Sequence, residues 1–310
     1  MTSHAAAVRR TGVVGALGVL WRFSRPHTLL GTFISATGLY LIAVAELPRS
    51  GLDHLFWVMV AGAGVNVAIV GVNQLTDVEI DRVNKPHLPL AAGELSRDGA
   101  WRIVTLAAVV PLVLALTQGA LETVAVVGAL AVGAAYSLPP VRLKRFPVVA
   151  SLCISGVRAV AVNLGMYGHF SLAFGGTAAI PDAVWALTLF VLPFSFAIAV
   201  LKDVPDREGD RRFRIATFTV RLGPRRAFRL GVGALVLAYA GMAVLGPLLV
   251  EDADGAVLAL GHGLALALLL VWARRADPAD PAAFTGFYLR VWALFFLEYA
   301  LMPAAVLAGA

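Results

Sequence analysis

The chain has 310 residues, 59% of them hydrophobic and 14% charged, with a mean hydropathy of +0.82. Soluble domains carry about 25% charged residues, so a water-soluble core is excluded and a polytopic membrane protein is indicated. The single cysteine, Cys153, excludes a disulfide framework, and the formal charge of +6 comes with no RNA- or DNA-binding motif, so nucleic acid is not an expected partner.

A span needs about 20 mostly apolar residues. In lipid the backbone must satisfy itself, so runs of that length are helices. The chain opens with a segment over 1–26 that carries Arg9, Arg10, Arg22 and Arg25; it reads as retained, because no small-residue cleavage site precedes 22-RFSRPH-27. Nine spans follow, at 27–46, 54–76, 101–117, 120–138, 148–168, 183–202, 227–247, 256–273 and 285–307. The expected fold is all-α, with one nine-helix domain over 27–310.

All but two of the 25 Lys and Arg fall in the N-terminal segment or in and beside the loops after the second, fourth, sixth and eighth spans; Arg49 and Arg158 are the exceptions. The other loops are short or acidic, as in 251-EDAD-254. This positive-inside pattern places the N-terminus in the cytoplasm and the C-terminus outside, in a plasma (inner) membrane. An acidic segment after the second span is echoed after the sixth, which suggests two four-helix halves and a ninth helix.

The first segment, 73-NQLTDVEIDRVNKP-86, holds Asn73, Asp77 and Asp81 at spacings of four. On one continuous helix they would line a single face, climbing about 6 Å per step. The second, 202-KDVPDREGD-210, repeats the spacing in Asp206 and Asp210, with Asp203 one turn before, and Pro205 can bend the backbone there. Two facing carboxylate clusters repel, and each is costly to desolvate. Mg²⁺ resolves this, since it is usually held by one or two carboxylates plus substrate phosphates. The surrounding Arg82, Lys85, Lys202, Arg207, Arg211 and Arg212 suit a diphosphate held between the clusters.

These residues resemble the UbiA superfamily of intramembrane prenyltransferases, whose signatures are N-x3-D-x3-D after the second helix and D-x3-D after the sixth. The homogentisate prenyltransferase branch looks closest, through 23-FSRPHTLLGT-32, 73-NQLTDVEIDRVNKPHLPLAAGELS-96, 202-KDVPDREGD-210, 218-FTVRLG-223 and 292-WALFFLEYALMP-303. The resemblance implies nine helices around a cavity open to lipid. It implies two Mg²⁺ ions on a polyprenyl diphosphate, carried by Asn73, Asp77, Asp81, Asp206 and Asp210, with Asp203 in support. Lys85 and Lys202 are then candidate phosphate contacts, joined by Arg82. Arg214 stands where the family pattern has Gly.

Asn66, Arg158 and Glu298 lie deep in spans. Such groups face a cavity or pair with each other, so Arg158 and Glu298 either tie two helices together or, with Asn66, line an acceptor pocket. Arg22, Arg25 and His27 are interfacial anchors or contacts to an anionic acceptor. Tyr136 and Tyr167 read as packing residues, and His169 and His262 as outer-end residues. The expected activity is prenyl transfer from a polyprenyl diphosphate to a homogentisate-like phenol. Cyclisation of the diphosphate without an acceptor is the alternative, since some relatives do it. An ion-coupled carrier is disfavoured, because the acids cluster at one mouth instead of at mid-membrane.

Overall fold

The computed structural model describes residues 12–177 and 179–310, and among them all regular structure is helical. The residues before Gly12, which belong to the expected N-terminal segment over 1–26, lie outside the described residues. A short helix α1 (Val13–Phe23) leads into α2 (Pro26–Glu46), α3 (Leu52–Thr76) and the small α4 (Val78–Asn84). Then come α5 (Arg97–Gln118), α6 (Ala120–Ser137), α7 (Pro147–Gly156) and α8 (Met166–Ala173), the last two joined without a break by a π-helical stretch over Val157–Gly165. After α9 (Asp182–Leu201) the small α10 (Arg207–Arg212) and α11 (Phe218–Leu222) precede α12 (Pro224–Leu249), α13 (Gly255–Arg275) and α14 (Pro281–Gly309). Nine helices among the described residues are long and apolar enough to cross a membrane, with Pro147–Ala173 counted as one. All nine expected spans are present, extended by a few residues at several ends.

The helices start where the sequence provides for the orphan N–H groups of a first turn. Pro26, Pro147, Pro224 and Pro281 occupy first helical positions, where a missing N–H costs nothing. The Asp254 carboxylate accepts from Val257 N–H at 2.8 Å, and that of Asp280 from Ala282 and Ala283 N–H.

Six of the long elements form a ring: α2 packs on α3, α3 on α6, α6 on the π stretch, that stretch on α9, α9 on α14, and α14 back on α2. Outside it α5 packs on α3 and α6, α12 on α9 and α13, and α13 on α14. The ninth long helix, α14, is thus not an appendage to two halves; it closes the ring. The outer faces are apolar and open, with Leu237 68% and Leu264 72% exposed, as expected where the solvent is lipid. Lipid gives no hydrophobic drive to helix pairing, so close backbone approach must. Gly38 of α2 supplies it: a Cβ there would lie 2.5 Å from the carbonyl oxygen of Tyr299 on α14.

Two local departures shape the mouth of the ring. The expected single helix over Asn73–Asp81 is broken at Asp77, which has φ −118° and ψ 16° and separates α3 from α4. Arg214, just after α10, has φ 56°. That left-handed conformation is one glycine adopts freely and other residues adopt at a cost, which fits the expectation of Gly at this position.

Candidate active site at the acidic mouth

The break at Asp77 lets α4 lie against α10, so the two acidic segments meet across one end of the ring. Asn84 of α4 joins them: its Oδ1 accepts from Gly209 N–H at 2.9 Å, and its Nδ2 donates to Asp210 Oδ1 at 3.4 Å. Asn73, Asp77, Asp81, Asp203, Asp206 and Asp210 all line one chamber of about 420 Å³, together with Lys85, Lys144 and Lys202.

Cations answer most of these acids. Lys85 is paired with Asp206. Lys144 Nζ lies 2.6 Å from Asp77 Oδ2 and donates to Thr76 Oγ1 at 3.0 Å, while Arg142 Nη2 reaches Asp77 Oδ1 at 3.1 Å. Lys202 Nζ lies 3.9 Å from Asp203 Oδ1 and donates to the Tyr136 hydroxyl at 3.1 Å. Asp81 has no such answer: it is buried and its Oδ2 has no hydrogen-bond partner. Burial pushes its carboxyl up to about 6 despite the pull of Arg25 and Lys85. Burial pushes Asp203 up to about 6, and burial with the charges of Asp203 and Asp206 pushes Asp210 up to about 8. At these three carboxyls the burial cost exceeds what the nearby cations return, so they are short of positive charge.

That shortage is the test of metal fit. Among the described residues no three His, Cys, Asp or Glu side chains converge into a closed protein cage. Separated carboxylates with a partnerless buried oxygen instead suit a hard cation that completes its shell with water and substrate phosphate, as Mg²⁺ does.

Four expected phosphate contacts are not in the chamber. Arg82 pairs with Glu79 three residues earlier at 2.6 Å, points to the surface and lines no chamber. Arg207, Arg211 and Arg212 are exposed on α10, whose inner face carries Asp206 and Asp210 instead. Lys144, Arg142 and Asn84 were missed, because the basic run 142-RLKR-145 is fully accounted for by topology until the fold brings it onto Asp77.

A second chamber of about 290 Å³ continues inward; both are lined by His27, Asn73, Tyr136 and Lys202, so the space is continuous. Its walls are mostly apolar. Asn66 lines it and donates to the Ser24 carbonyl at 3.3 Å. Arg158 lines it too, from the π stretch, with its guanidinium 4.8 Å from the Trp292 ring centre and 5.3 Å from that of Phe295. The Arg158 Nη1 is buried without a hydrogen-bond partner.

The Arg158–Glu298 tie does not form. Glu298 sits three residues past Phe295, about 60° short of a full turn round α14, and meets α13, where its Oε2 lies 3.1 Å from His262 Nε2. His262 is fully buried, and its Nδ1 lies 2.7 Å from the Leu258 carbonyl. Of the first-helix cations, Arg22 pairs with Glu94 and lines the acidic chamber alone, whereas Arg25 and His27 line both chambers.

A family model described as the UbiA prenyltransferase family matches residues 28–297. The chain is 42% identical over 300 residues to the homogentisate phytyltransferase of Synechocystis sp., a match covering 94% of this chain and 97% of that protein. It is 37% identical over 292 residues to the homogentisate solanesyltransferase of Arabidopsis thaliana, covering 91% and 75%. Among solved structures, a UbiA homologue of Archaeoglobus fulgidus bound to GPP and Mg²⁺ shares the fold, with a TM-score of 0.63 at 22% identity over 92% of this chain and 99% of that one. With nine apolar helices among the described residues, six of them closing a ring, and both acidic segments inside the matched residues, the chain is an integral membrane protein of the UbiA prenyltransferase family.

Proposed function

We propose that the protein transfers the prenyl group of a polyprenyl diphosphate to a ring carbon of homogentisate or a similar aromatic acid, with Mg²⁺ at the acidic mouth. One observation carries the reading: a charge-lined chamber opens into an apolar one, and a partnerless arginine stacked on aromatic rings lies in the wall of the second. It is supported by relatives named for homogentisate phytyl and solanesyl transfer, and by a structural neighbour that binds GPP and Mg²⁺.

In this reading two Mg²⁺ ions are held by Asp77 and Asp81 with Asn73, and by Asp206 and Asp210 with Asp203; when bound they supply Lewis-acid neutralisation of the leaving diphosphate. Lys85, Lys144 and Lys202 add fixed positive charge beside the diphosphate oxygens as the allylic C–O bond breaks and its electron pair leaves on oxygen. The apolar walls keep the allyl cation from water. Arg158 holds the acceptor carboxylate, with Asn66, Arg25 and His27 around it. A ring π pair forms the new C–C bond, and the alkylated carbon loses its proton. With homogentisate, CO2 leaves the acetate arm, and the electron pair it leaves behind takes up a proton to give a methyl group.

The charge pattern favours an inner membrane, with the acidic mouth and N-terminus on the cytoplasmic side and the C-terminus outside. The test uses purified protein in lipid nanodiscs with Mg²⁺ and a C20 prenyl diphosphate, with and without homogentisate, followed by mass spectrometry. The expected product has the mass of a prenylated, decarboxylated ring and forms only with homogentisate. A hydrocarbon or alcohol formed equally well without it would overturn the transfer reading in favour of cyclisation.

A further inference from the structure

An allyl cation and an acceptor ring must meet where the charged chamber opens into the apolar one. The side chains of that junction line both chambers, and they include Arg25, His27, Asn73, Tyr136, Lys202 and Tyr288. Charged Arg and Lys have no lone pair to offer, an amide is not basic, and a phenol holds its proton near neutrality. A neutral imidazole keeps one ring nitrogen with a free lone pair. Among the described residues, His27 is thus the one side chain at the junction suited to accept a proton near neutral pH. The carboxylates lie elsewhere. Asp77, Asp81, Asp203, Asp206 and Asp210 line the charged chamber alone. Glu122 lines the apolar one, fourteen residues along α6 from Tyr136, about 21 Å of helix away.

His27 is held in place without using that lone pair. Its ring packs edge-on to Trp292 of α14, with 5.1 Å between ring centres, and to Tyr288 at 6.5 Å. Gly31, one turn further along α2, makes room for this: a Cβ there would lie 3.1 Å from Trp292 Cζ3. The rings of His54, His169 and His262 each have a nitrogen within 3.3 Å of a carboxylate, carbonyl or imidazole partner. Among the described residues no contact of that kind ends on His27. Arg158 stands against the same Trp292 ring, at 4.8 Å. An arylacetate whose carboxylate rests on Arg158 can lie along Trp292 with its ring carbons towards His27.

Charge gives the transfer its direction. Bond formation to the allyl carbon leaves the acceptor ring as a cation near Arg25, Lys85 and Arg158, the three cations that bear on His27. Their repulsion favours loss of the ring proton. We infer that His27 is the general base of the transfer, its free ring nitrogen taking the proton from the alkylated ring carbon. The C–H electron pair returns to the ring and restores its aromaticity. The imidazolium then hands the proton to an oxygen of the released diphosphate in the charged chamber, which His27 also lines. The inference rests on the prenyl-transfer reading and names the residue that its proton loss requires.

The experiment compares the wild type, His27→Asn and His27→Ala in nanodiscs with Mg²⁺ and a C20 prenyl diphosphate. Homogentisate is supplied with either hydrogen or deuterium on its ring carbons, and ring product and diphosphate are measured separately. A wild type that forms no prenylated ring would bring down the transfer reading, and this inference with it. Given transfer, each variant is expected to lose about 100-fold or more in kcat, the lower end of what a general base contributes. Each is also expected to show a primary isotope effect larger than the wild type's, because loss of the ring proton becomes the slow step. An alkylated ring that keeps its proton gives back the allyl cation, so diphosphate release is expected to outrun ring product in the variants. Two outcomes would overturn the inference and leave transfer standing. In one, a variant that melts like the wild type keeps the wild-type kcat, and the diphosphate takes the proton directly. In the other, kcat falls with no change in the isotope effect, and His27 only shapes the pocket.

Discussion

Lys85, from the small helix after the second span, is ion-paired with Asp206, from the turn after the sixth. The pair crosses between the two acidic segments, and the Asn84 side chain beside it bonds both Gly209 and Asp210. The mouth is thus one unit assembled from residues more than 120 positions apart in the chain. Lys85 has two partners to serve: Asp206, and the diphosphate in the proposed reading.

Replacing either side of this unit separates binding from charge balance. Asp77→Asn and Asp206→Asn keep the shape and remove an oxygen charge. Each is expected to lower Mg²⁺-dependent diphosphate release by about 100-fold or more, the range for loss of one preorganised charge-stabilising group. Lys85→Met is expected to raise KM for the prenyl diphosphate by about tenfold, the scale of one lost charge-assisted hydrogen bond. Stopped assays of released diphosphate measure all three. Unchanged release in both Asp variants would remove the metal assignment.

Arg158 has aromatic faces beside it and no hydrogen-bond partner on Nη1, so in the proposed reading it is free to take the acceptor carboxylate. Arg158→Ala is expected to raise KM for homogentisate by about 10- to 100-fold, as for a lost charged hydrogen bond. Ionisation of the donor, read as slow diphosphate release without acceptor, stays near wild type. Lysine does not replace it, because the stacked planar fork is lost, so Arg158→Lys should resemble alanine. A normal homogentisate KM in both variants would return Arg158 to a packing role.

The raised carboxyls of Asp81, Asp203 and Asp210 set a pH dependence. Their folded values, about 6, 6 and 8, exceed the ordinary aspartate value, so the folded protein holds extra protons. The stability this brings is fully present below the ordinary aspartate value of 3.8 and is lost as pH rises from there through about 6 for Asp81 and Asp203 and about 8 for Asp210. Cation binding runs the opposite way, since it needs the ionised form. Without metal, the melting temperature is expected to fall from pH 5.5 to pH 8.5, while the increase caused by Mg²⁺ with a prenyl diphosphate grows over the same window. Asp210→Asn should flatten the upper part of the first curve. A melting curve independent of pH would show that these carboxyls are not buried as described.

The spans were legible because hydropathy and helix length are properties of a single segment. The acidic motifs were legible because like charges at matched spacing have few structural uses. What escaped depends on how segments face each other. Lys144 reads as one more basic loop residue until the chain brings it onto Asp77. Arg158 and Glu298, both deep and opposite in charge, look like partners, yet α14 turns Trp292 and Phe295 towards one and Glu298 towards His262. A π-helical stretch and a break at Asp77 carry no clear mark in composition, and both aim side chains at the site.

The single cysteine gives a direct reading of where the prenyl chain goes. Cys153, on α7, lines the apolar chamber beyond the acidic mouth. A small maleimide is expected to label it, and a C20 prenyl diphosphate with Mg²⁺ is expected to slow labelling by about tenfold or more through occupancy of the chamber, as for a ligand well above its Kd. Chelation of Mg²⁺ should restore the original rate, because the acidic mouth then repels the diphosphate and the chain leaves with it. Inorganic diphosphate with Mg²⁺ should protect little, since it fills the mouth and not the apolar chamber. Equal protection by diphosphate alone, or protection that survives chelation, would mean that labelling reports closure of the mouth and that the prenyl chain lies elsewhere. The rate is read by mass spectrometry of the intact protein, without any need for turnover.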